Sequence, residues 1–230
     1  MLQDLRSLGK ETLAYGLSTV VARLLNFLLL PLYTHYLAPG EYGIVATVFA
    51  YIAFLNFVFQ YGMDQAYLRF ASDKEGRGPE ACFTTATASL AGTTVVLTAL
   101  LLLAAEPLAR WGGLRAGDAD LVRYAAGVLA LDALSVVPFA ELRLSHRIWA
   151  FVGIRSFNIA LNIALNILFV AILGLGARGV LAASLVSAAA SVILLAPGFA
   201  LRIRAAFDAP LWREMAAYGL TFVPAGIGAM

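Results

Sequence analysis

Charged residues are scarce in this sequence. They make up 13% of its 230 residues, whereas apolar residues make up 61%. Soluble domains carry about 25% charged and about 45–50% apolar residues, so this chain has too little polar surface to cover a soluble core. Disordered chains are poor in apolar residues, which excludes that class as well. The net charge of +2 is too small to indicate nucleic-acid binding.

Residues for metal binding and catalysis are also few. The single cysteine, Cys82, cannot form an intrachain disulfide or a thiol-based metal site, and the two histidines, His35 and His146, stand apart. The sequence has no phosphate-binding loop, no metal-binding cluster and no hydrolase elbow. Asp132 and Glu141 lie nine residues apart on one predicted helix and face opposite ways, so they form no acid/base pair. We therefore expect no enzymatic activity, no metal and no cofactor.

Long apolar runs dominate the sequence instead. A helix needs about 20 mainly apolar residues to cross the hydrocarbon core of a membrane. Six segments meet this requirement, and turn-forming stretches such as Glu106-Pro107 separate them. The segments are 12–37, 42–67, 81–105, 120–142, 148–173 and 179–201. The sequence thus predicts an all-α integral membrane protein with a six-helix transmembrane bundle.

The distribution of positive charge predicts an orientation. Ten Lys and Arg residues fall on the side of the N-terminus, and four fall on the other side. Positively charged residues near span ends favour the cytoplasm. We therefore expect the N-terminus to be cytoplasmic.

The start of the chain recurs near its end. Residues 10–18 read KETLAYGLS and residues 213–221 read REMAAYGLT, with five of the nine positions identical. Six spans separate the copies, so both begin on the same membrane face, as in transporters built from two parallel repeats. Chance similarity is the alternative, because Ala, Gly and Leu are abundant. We expect residues 1–205 to form an N-terminal six-helix lobe, and 206–230 to form a linker and the truncated start of a second lobe with a seventh span.

Polar side chains inside the spans form the candidate site. Charges within a membrane are costly and usually face a cavity or a partner. Arg23 lies about halfway along the first span, and a guanidinium binds phosphate through a bidentate fork. The residues that we expect to line a substrate-binding cavity are Arg23, Asn26, Tyr33, Asn56, Gln60, Asp132, Arg155, Asn158 and Asn162.

Structural roles are the alternative for several of these residues. Arg23 and Asp132 fall at similar depth and would then form a buried pair. The asparagines of the fifth span, like the serines of the sixth, would hold helices together. Arg155 lies about two turns from the end of its span and could extend to the interface. Outside this set, we expect Asp64 and Arg69 to form an interfacial pair.

Several stretches together resemble the polysaccharide biosynthesis (Wzx-type) lipid-linked oligosaccharide flippases of bacteria. These belong to the multidrug/oligosaccharidyl-lipid/polysaccharide exporter (MATE-like) superfamily. The first two stretches are residues 23–43, which begin RLLNFLLLPLYT and end YLAPGEYG, and residues 61–70, YGMDQAYLRF. The third runs from Leu142 through the asparagines of the fifth span to Gly179.

The resemblance implies two six-helix lobes around a central cavity that opens alternately to either side. It implies transfer of an undecaprenyl-diphosphate-linked oligosaccharide across the bacterial inner membrane, for surface polysaccharides such as O-antigen, lipopolysaccharide or exopolysaccharide. Arg23 matches a cationic cavity residue of related flippases, whereas Leu29 and Leu30 stand where a second cation is expected. The implied partners are the lipid-linked oligosaccharide, membrane lipids, a polysaccharide polymerase and glycosyltransferases.

Two other functions stay open. A drug or cation antiporter of the same superfamily would use acidic cavity residues, and Asp132 is such a residue, but Arg23 would oppose a cationic substrate. A non-transporting membrane fragment is the third possibility.

Overall fold

The apolar runs fold into helices. The structure is a computed structural model that describes residues 29–73, 77–113, 117–200, 203 and 206–228, none of which forms a β-strand. Residues 29–36 are helical. The helices that follow are α1 (Pro39–Gln60), α2 (Met63–Ala71), α3 (Pro79–Leu103), α4 (Ala105–Trp111), α5 (Ala119–Leu144), α6 (Ile148–Asn166), α7 (Gly176–Ala200), α8 (Ala209–Leu220) and α9 (Phe222–Gly228). A π-helical turn, Ile167–Ile172, continues α6.

Five of the described helical segments are long and apolar enough to cross a membrane. They are Pro39–Ala71, Pro79–Leu103, Ala119–Leu144, Ile148–Ile172 and Gly176–Gly198. These segments coincide with the second to sixth predicted spans. Of the first predicted span, 12–37, only the last residues are described, and 29–36 are helical. The described chain is therefore all-helical and has the spans of a multi-pass membrane protein.

Several predicted connections are shorter than expected. Glu106-Pro107, predicted as a separator, lies in the first turn of α4. Proline is tolerated there because the first turn of a helix makes no use of its missing N–H. Pro39 likewise begins α1 instead of lying in a loop, and α7 begins at Gly176, within the predicted connection 174–179.

Helix α5 lies at the centre of the bundle. It packs against α1, α3, α6 and α7, and 61% of its most apolar stretch is buried, compared with 11% for the span that begins with α6. Helix α6 therefore lies at the edge of the described bundle, where it packs mainly on α7. This arrangement leaves an opening among α1, α5, α6 and α7.

Contacts between connections show which helix ends lie together. At one end, Arg77 pairs with Asp208 at 3.1 Å, so the α2–α3 connection meets the start of α8. At the opposite end, Arg178 pairs with Asp120 at 3.7 Å, so the start of α7 meets the start of α5. Consecutive spans therefore alternate in direction, as the sequence predicts. Which end faces the cytoplasm stays a prediction.

The predicted pair of Asp64 and Arg69 is wrong. Asp64 pairs with Arg143 of α5 at 3.6 Å, and the Arg69 guanidinium lies over the Tyr218 ring, 5.0 Å from its centroid. Residues five apart on a helix point about 140° away from each other, because successive residues turn by about 100°. Asp64 and Arg69 therefore contact two different neighbouring helices, α5 and α8.

A buried hydrogen bond joins α2 to α5. The Tyr67 hydroxyl donates to Oε2 of Glu141, and the two residues are 0% and 8% exposed. The Tyr67 ring also meets Phe83 of α3 edge-on, with the centroids 5.9 Å apart. This contact fixes α2 against the centre of the bundle.

We predict that Tyr67→Phe destabilises the protein by about 1–3 kcal/mol, because a buried carboxylate loses a donor. Thermal unfolding in detergent micelles measures the effect. Tyr51→Phe is the matched control, since Tyr51 is 52% exposed, and it should unfold at the wild-type temperature. Equal unfolding temperatures for the two variants would contradict the prediction.

Candidate functional site

A polar cavity of about 670 Å³ lies among α1, α5, α6 and α7. Each of these helices contributes polar and apolar side chains to its wall. The polar lining residues are Asn56, Asp132, Arg155, Ser156, Asn158, Asn162, Ser184 and Ser187. A cavity with such a wall inside a membrane-spanning bundle offers both charge and hydrogen bonds to a ligand.

Asp132 and Arg155 are the charged residues of this wall. Asp132 lies near the middle of the central helix α5, and Arg155 lies on α6 across the cavity. The two side chains carry opposite charges and attract each other electrostatically, and Asn56 of α1 lines the same cavity. Within the described ranges, neither charged group forms an ion pair at salt-bridge distance. The described partners therefore leave the guanidinium able to accept an anion.

Two aromatic rings hold the Arg155 guanidinium. Its central carbon lies 4.1 Å from the centroid of Phe139 and 5.9 Å from that of Phe151. The two rings meet edge-on with centroids 5.5 Å apart. A cation over an aromatic face is attracted by the ring quadrupole, most strongly where water is excluded. The rings thus stabilise the charge without using its N–H donors.

The asparagines of α6 form a hydrogen-bonded ladder with α7. Asn158 Nδ2 donates to the Ser187 carbonyl at 2.7 Å and to Ser191 Oγ at 2.8 Å. Asn162 Nδ2 donates to Ser187 Oγ at 3.1 Å. Four-residue spacing places these amides on one face of α6. The ladder therefore holds two helices together and also forms one wall of the cavity.

The ladder continues to the first described helical residues. Asn166 is fully buried, and its Nδ2 donates to Asn162 Oδ1 at 3.0 Å. The Tyr33 hydroxyl donates to Asn166 Oδ1 at 2.9 Å. The π-helical turn begins directly after Asn166. One continuous set of hydrogen bonds therefore joins α6, α7 and the helical residues 29–36.

The structure brings five of the nine predicted cavity residues to one cavity, namely Asn56, Asp132, Arg155, Asn158 and Asn162. Gln60 lies one turn beyond Asn56 and donates to its Oδ1 at 3.2 Å, and Tyr33 connects to the wall through Asn166. Arg23 and Asn26 lie outside the described residues, as does the expected approach of Arg23 to Asp132. Binding by any of these residues stays a prediction.

Other residues of the site were not expected from the sequence. Phe139 faces Arg155 from α5, and no sequence spacing relates the two, whereas Phe151 lies four residues before Arg155 on α6, so its i, i+4 spacing was a readable signal. Ser184 and Ser187 line the cavity, whereas the sequence indicated only a packing role. The signal for the serines was present, since their spacing follows one helix face.

Metal binding is not evident at this site. Within the described ranges, no three His, Cys, Asp or Glu side chains lie close enough together to hold an ion.

The fold is that of MATE proteins. It matches the crystal structure of MATE in complex with MaD3S with a TM-score of 0.74 and 20% identity, over 96% of this chain and 53% of that one. It matches the crystal structure of a MATE protein with a single proline-to-alanine substitution with a TM-score of 0.73 and 18% identity over the same shares. The chain thus spans about half the length of the solved proteins that it resembles.

The sequence gives the family. Residues 20–229 match the polysaccharide biosynthesis proteins, so the chain belongs to that family. The predicted family resemblance is therefore confirmed. No curated protein sequence matches the chain significantly.

We predict that the Tyr33 and Asn166 side chains are energetically coupled. In a double-mutant cycle of Tyr33→Phe and Asn166→Ala, the coupling should be about 0.6 kcal/mol and at most about 1.7 kcal/mol, the range for such bonds in membranes. Unfolding in mixed micelles measures it. The same cycle with Tyr36→Phe is the control, because Tyr36 is 51% exposed. Coupling of equal size in both cycles would show that the hydrogen bond is not its source.

Proposed function

We propose that this protein moves a lipid-linked oligosaccharide across the membrane and that the cavity receives its charged head group. The observation that carries the proposal is the Arg155 guanidinium, which lies in a polar cavity between membrane-spanning helices and is held by aromatic rings. Membership of the polysaccharide biosynthesis family supports a sugar-bearing substrate. Transport, rather than catalysis, is the activity proposed.

The positive charge of Arg155 lies within a membrane span and therefore has to be stabilised. Arg155 lies about two turns from the start of its span, and ionisable residues within membrane spans are rare and mostly pair or serve a transport pathway. Asp132 supplies part of the compensation across the cavity. An arriving diphosphate supplies the rest, because its oxygens accept two parallel N–H donors from one guanidinium.

The other cavity residues suit a sugar. Asn158, Asn162 and Ser187 present amide and hydroxyl groups, which match the donors and acceptors of sugar hydroxyls. Asp132 accepts hydrogen bonds from sugar hydroxyls. The polyprenyl tail stays in the bilayer while the head group crosses, so the cavity contains only the polar part of the substrate.

Arg23 is the second proposed anion ligand. It lies about halfway along the first predicted span, and the family resemblance places it at the matching cationic position. Asn26 lies three residues further along the same span and is proposed to assist it. Arg23 and Arg155 together would give a diphosphate two guanidinium ligands.

The proposed architecture is a first lobe of six spans, residues 1–205, followed by a linker and the start of a second lobe at 206–230. The coverage of 53% of the MATE chains supports it, because one lobe corresponds to about half of such a protein. Two lobes that rock against each other open the cavity first to one side and then to the other. A bacterial inner membrane with a cytoplasmic N-terminus is the proposed location. The proposed partners are membrane lipids, glycosyltransferases that supply the substrate and a polymerase that consumes the product.

The second candidate is a drug or cation antiporter, which the Asp132 carboxylate in the cavity favours. Efflux of cationic dyes from cells that express the protein distinguishes the two candidates. Dye efflux that Asp132→Asn abolishes and Arg155→Ala preserves would favour the antiporter.

We predict that Arg155→Ala lowers flipping about 10- to 100-fold, the equivalent of about 1.5–3 kcal/mol for hydrogen bonds to a charged group. Arg155→Lys keeps the charge but loses the fork, so its rate should be intermediate. The measurement is transfer of a fluorescent undecaprenyl-diphosphate disaccharide between the leaflets of proteoliposomes. Arg123→Ala is the control, because Arg123 lies at a helix end and pairs with Asp120 at 2.6 Å. Wild-type flipping by the Arg155→Ala variant would refute its proposed role.

We further predict that Arg23→Ala in the host lowers surface polysaccharide and causes lipid-linked precursors to accumulate. The loss of one of two guanidinium ligands is the physical reason. Extraction of lipid-linked oligosaccharides measures the accumulation. Normal surface polysaccharide with normal precursor levels would show that Arg23 is not an anion ligand.

A further inference from the structure

Two residues of α5 attract the Arg155 guanidinium, and they do so at different depths. Asp132 and Phe139 lie on nearly the same face of the helix, because they are seven residues apart and successive residues turn by about 100°. At 1.5 Å per residue, about 10 Å separates them along the helix axis. Helix α5 therefore offers the guanidinium two positions, one at a carboxylate and one at an aromatic ring.

The guanidinium takes the aromatic position. Its central carbon lies 4.1 Å from the centroid of the Phe139 ring, whereas no carboxylate within the described ranges lies at salt-bridge distance from Arg155. Phe139 is 3% exposed, and Arg155 is among the exposed residues. The ring therefore covers one side of the cation and leaves the other side accessible from the cavity.

Electrostatic forces oppose this position. Asp132 attracts Arg155 across the cavity, and Arg143, one turn beyond Phe139 on α5, repels it. Asp64 reduces the repulsion, since it pairs with Arg143 at 3.6 Å. Both forces still draw the guanidinium along α5 toward Asp132, so the contact with the aromatic ring has to outweigh them. Such a contact is strongest where water is excluded.

An ion pair between Arg155 and Asp132 would obstruct the binding of an anion. A carboxylate accepts two parallel N–H donors from a guanidinium, and these are the donors that a diphosphate needs. An arriving anion would then have to displace the carboxylate before it could bind. The position of the guanidinium therefore determines whether the site is open.

We propose that Phe139 is a positioning residue, whose ring holds the Arg155 guanidinium away from Asp132 and thereby keeps the anion site open. This inference rests on the proposed function and deepens it, because it names the residue that controls access to the binding group. Phe151 contributes less, since its ring centroid lies 5.9 Å from the guanidinium carbon.

Binding of inorganic pyrophosphate to the purified protein in detergent micelles tests the proposal, with isothermal titration calorimetry as the measurement. We expect Phe139→Leu to bind about 3- to 30-fold more weakly than the wild type, the fold-change that corresponds to a cation–π contact. Phe139→Tyr keeps an aromatic face and should bind like the wild type. Phe59→Leu is the matched control, because Phe59 is 1% exposed and belongs to the apolar core. Equal affinities of Phe139→Leu and Phe59→Leu would overturn the proposal.

Asp132→Asn distinguishes positioning from simple packing. In that background no carboxylate competes for the guanidinium, so the addition of Phe139→Leu should change the affinity for pyrophosphate by less than about twofold. A packing defect, in contrast, would weaken binding equally with and without the Asp132 carboxylate. Equal losses in both backgrounds would overturn the proposal, as would weak binding by Phe139→Tyr.

Thermal unfolding measures the same competition without any ligand. In the wild-type protein, Asp132→Asn should change the unfolding temperature little, because the two charges are not in contact. In Phe139→Leu the charges pair, so Asp132→Asn should lower the unfolding temperature by several degrees more. Phe139→Met provides a second such background, since methionine fills the space of the ring with a flexible apolar side chain. Equal shifts in all three backgrounds would overturn the proposal.

These measurements separate failure of the inference from failure of the proposed function. A wild-type protein that flips no lipid-linked saccharide rejects the proposed function, and the unfolding comparison still decides where the guanidinium lies. A wild-type protein that flips the lipid, with Phe139→Leu flipping as fast as Phe59→Leu, rejects the positioning role alone.

Discussion

Polar groups in hydrocarbon must find partners inside the protein, because water is absent there and an unsatisfied group costs several kcal/mol. The hydrogen bonds between α6 and α7 follow from this constraint. Asn158 and Asn162 on one face of α6 meet serines on one face of α7, and Asn166 with Tyr33 extends the set to a third helix. The same groups that hold the helices together form a polar wall, so stability and a candidate binding surface share one cause.

Hydropathy alone sufficed to predict the five candidate membrane spans of the described residues, because the length of an apolar run fixes whether a helix can cross. The face of α6 that carries polar groups was equally predictable from the spacing of its asparagines. The neighbour opposite that face was not predictable, because it depends on how the helices pack. Asp64 shows the limit, since its partner Arg143 lies 79 residues away in sequence and no local pattern relates the two.

The residues of the candidate site were likewise only partly predictable from the sequence. Sequence indicated polar residues within spans, and five of the nine expected residues do line one cavity. Phe139 and Phe151 escaped notice, because an aromatic residue in an apolar run carries no sign of its function. The contact of Phe139 with Arg155 arises from the packing of α5 on α6, which is a tertiary property, whereas Phe151 precedes Arg155 by about one turn of the same helix.

Charges at the two depths of the bundle are compensated in different ways. Near the helix ends, Arg77 and Arg143 pair with carboxylates at salt-bridge distance, where water also screens them. Within the bundle, Arg155 has aromatic faces and a more distant carboxylate instead. A tight ion pair would neutralise the guanidinium and occupy its donors, whereas an aromatic face stabilises the charge and leaves the N–H groups free. This difference is the physical reason why we propose binding for Arg155 and structural roles for Arg77 and Arg143.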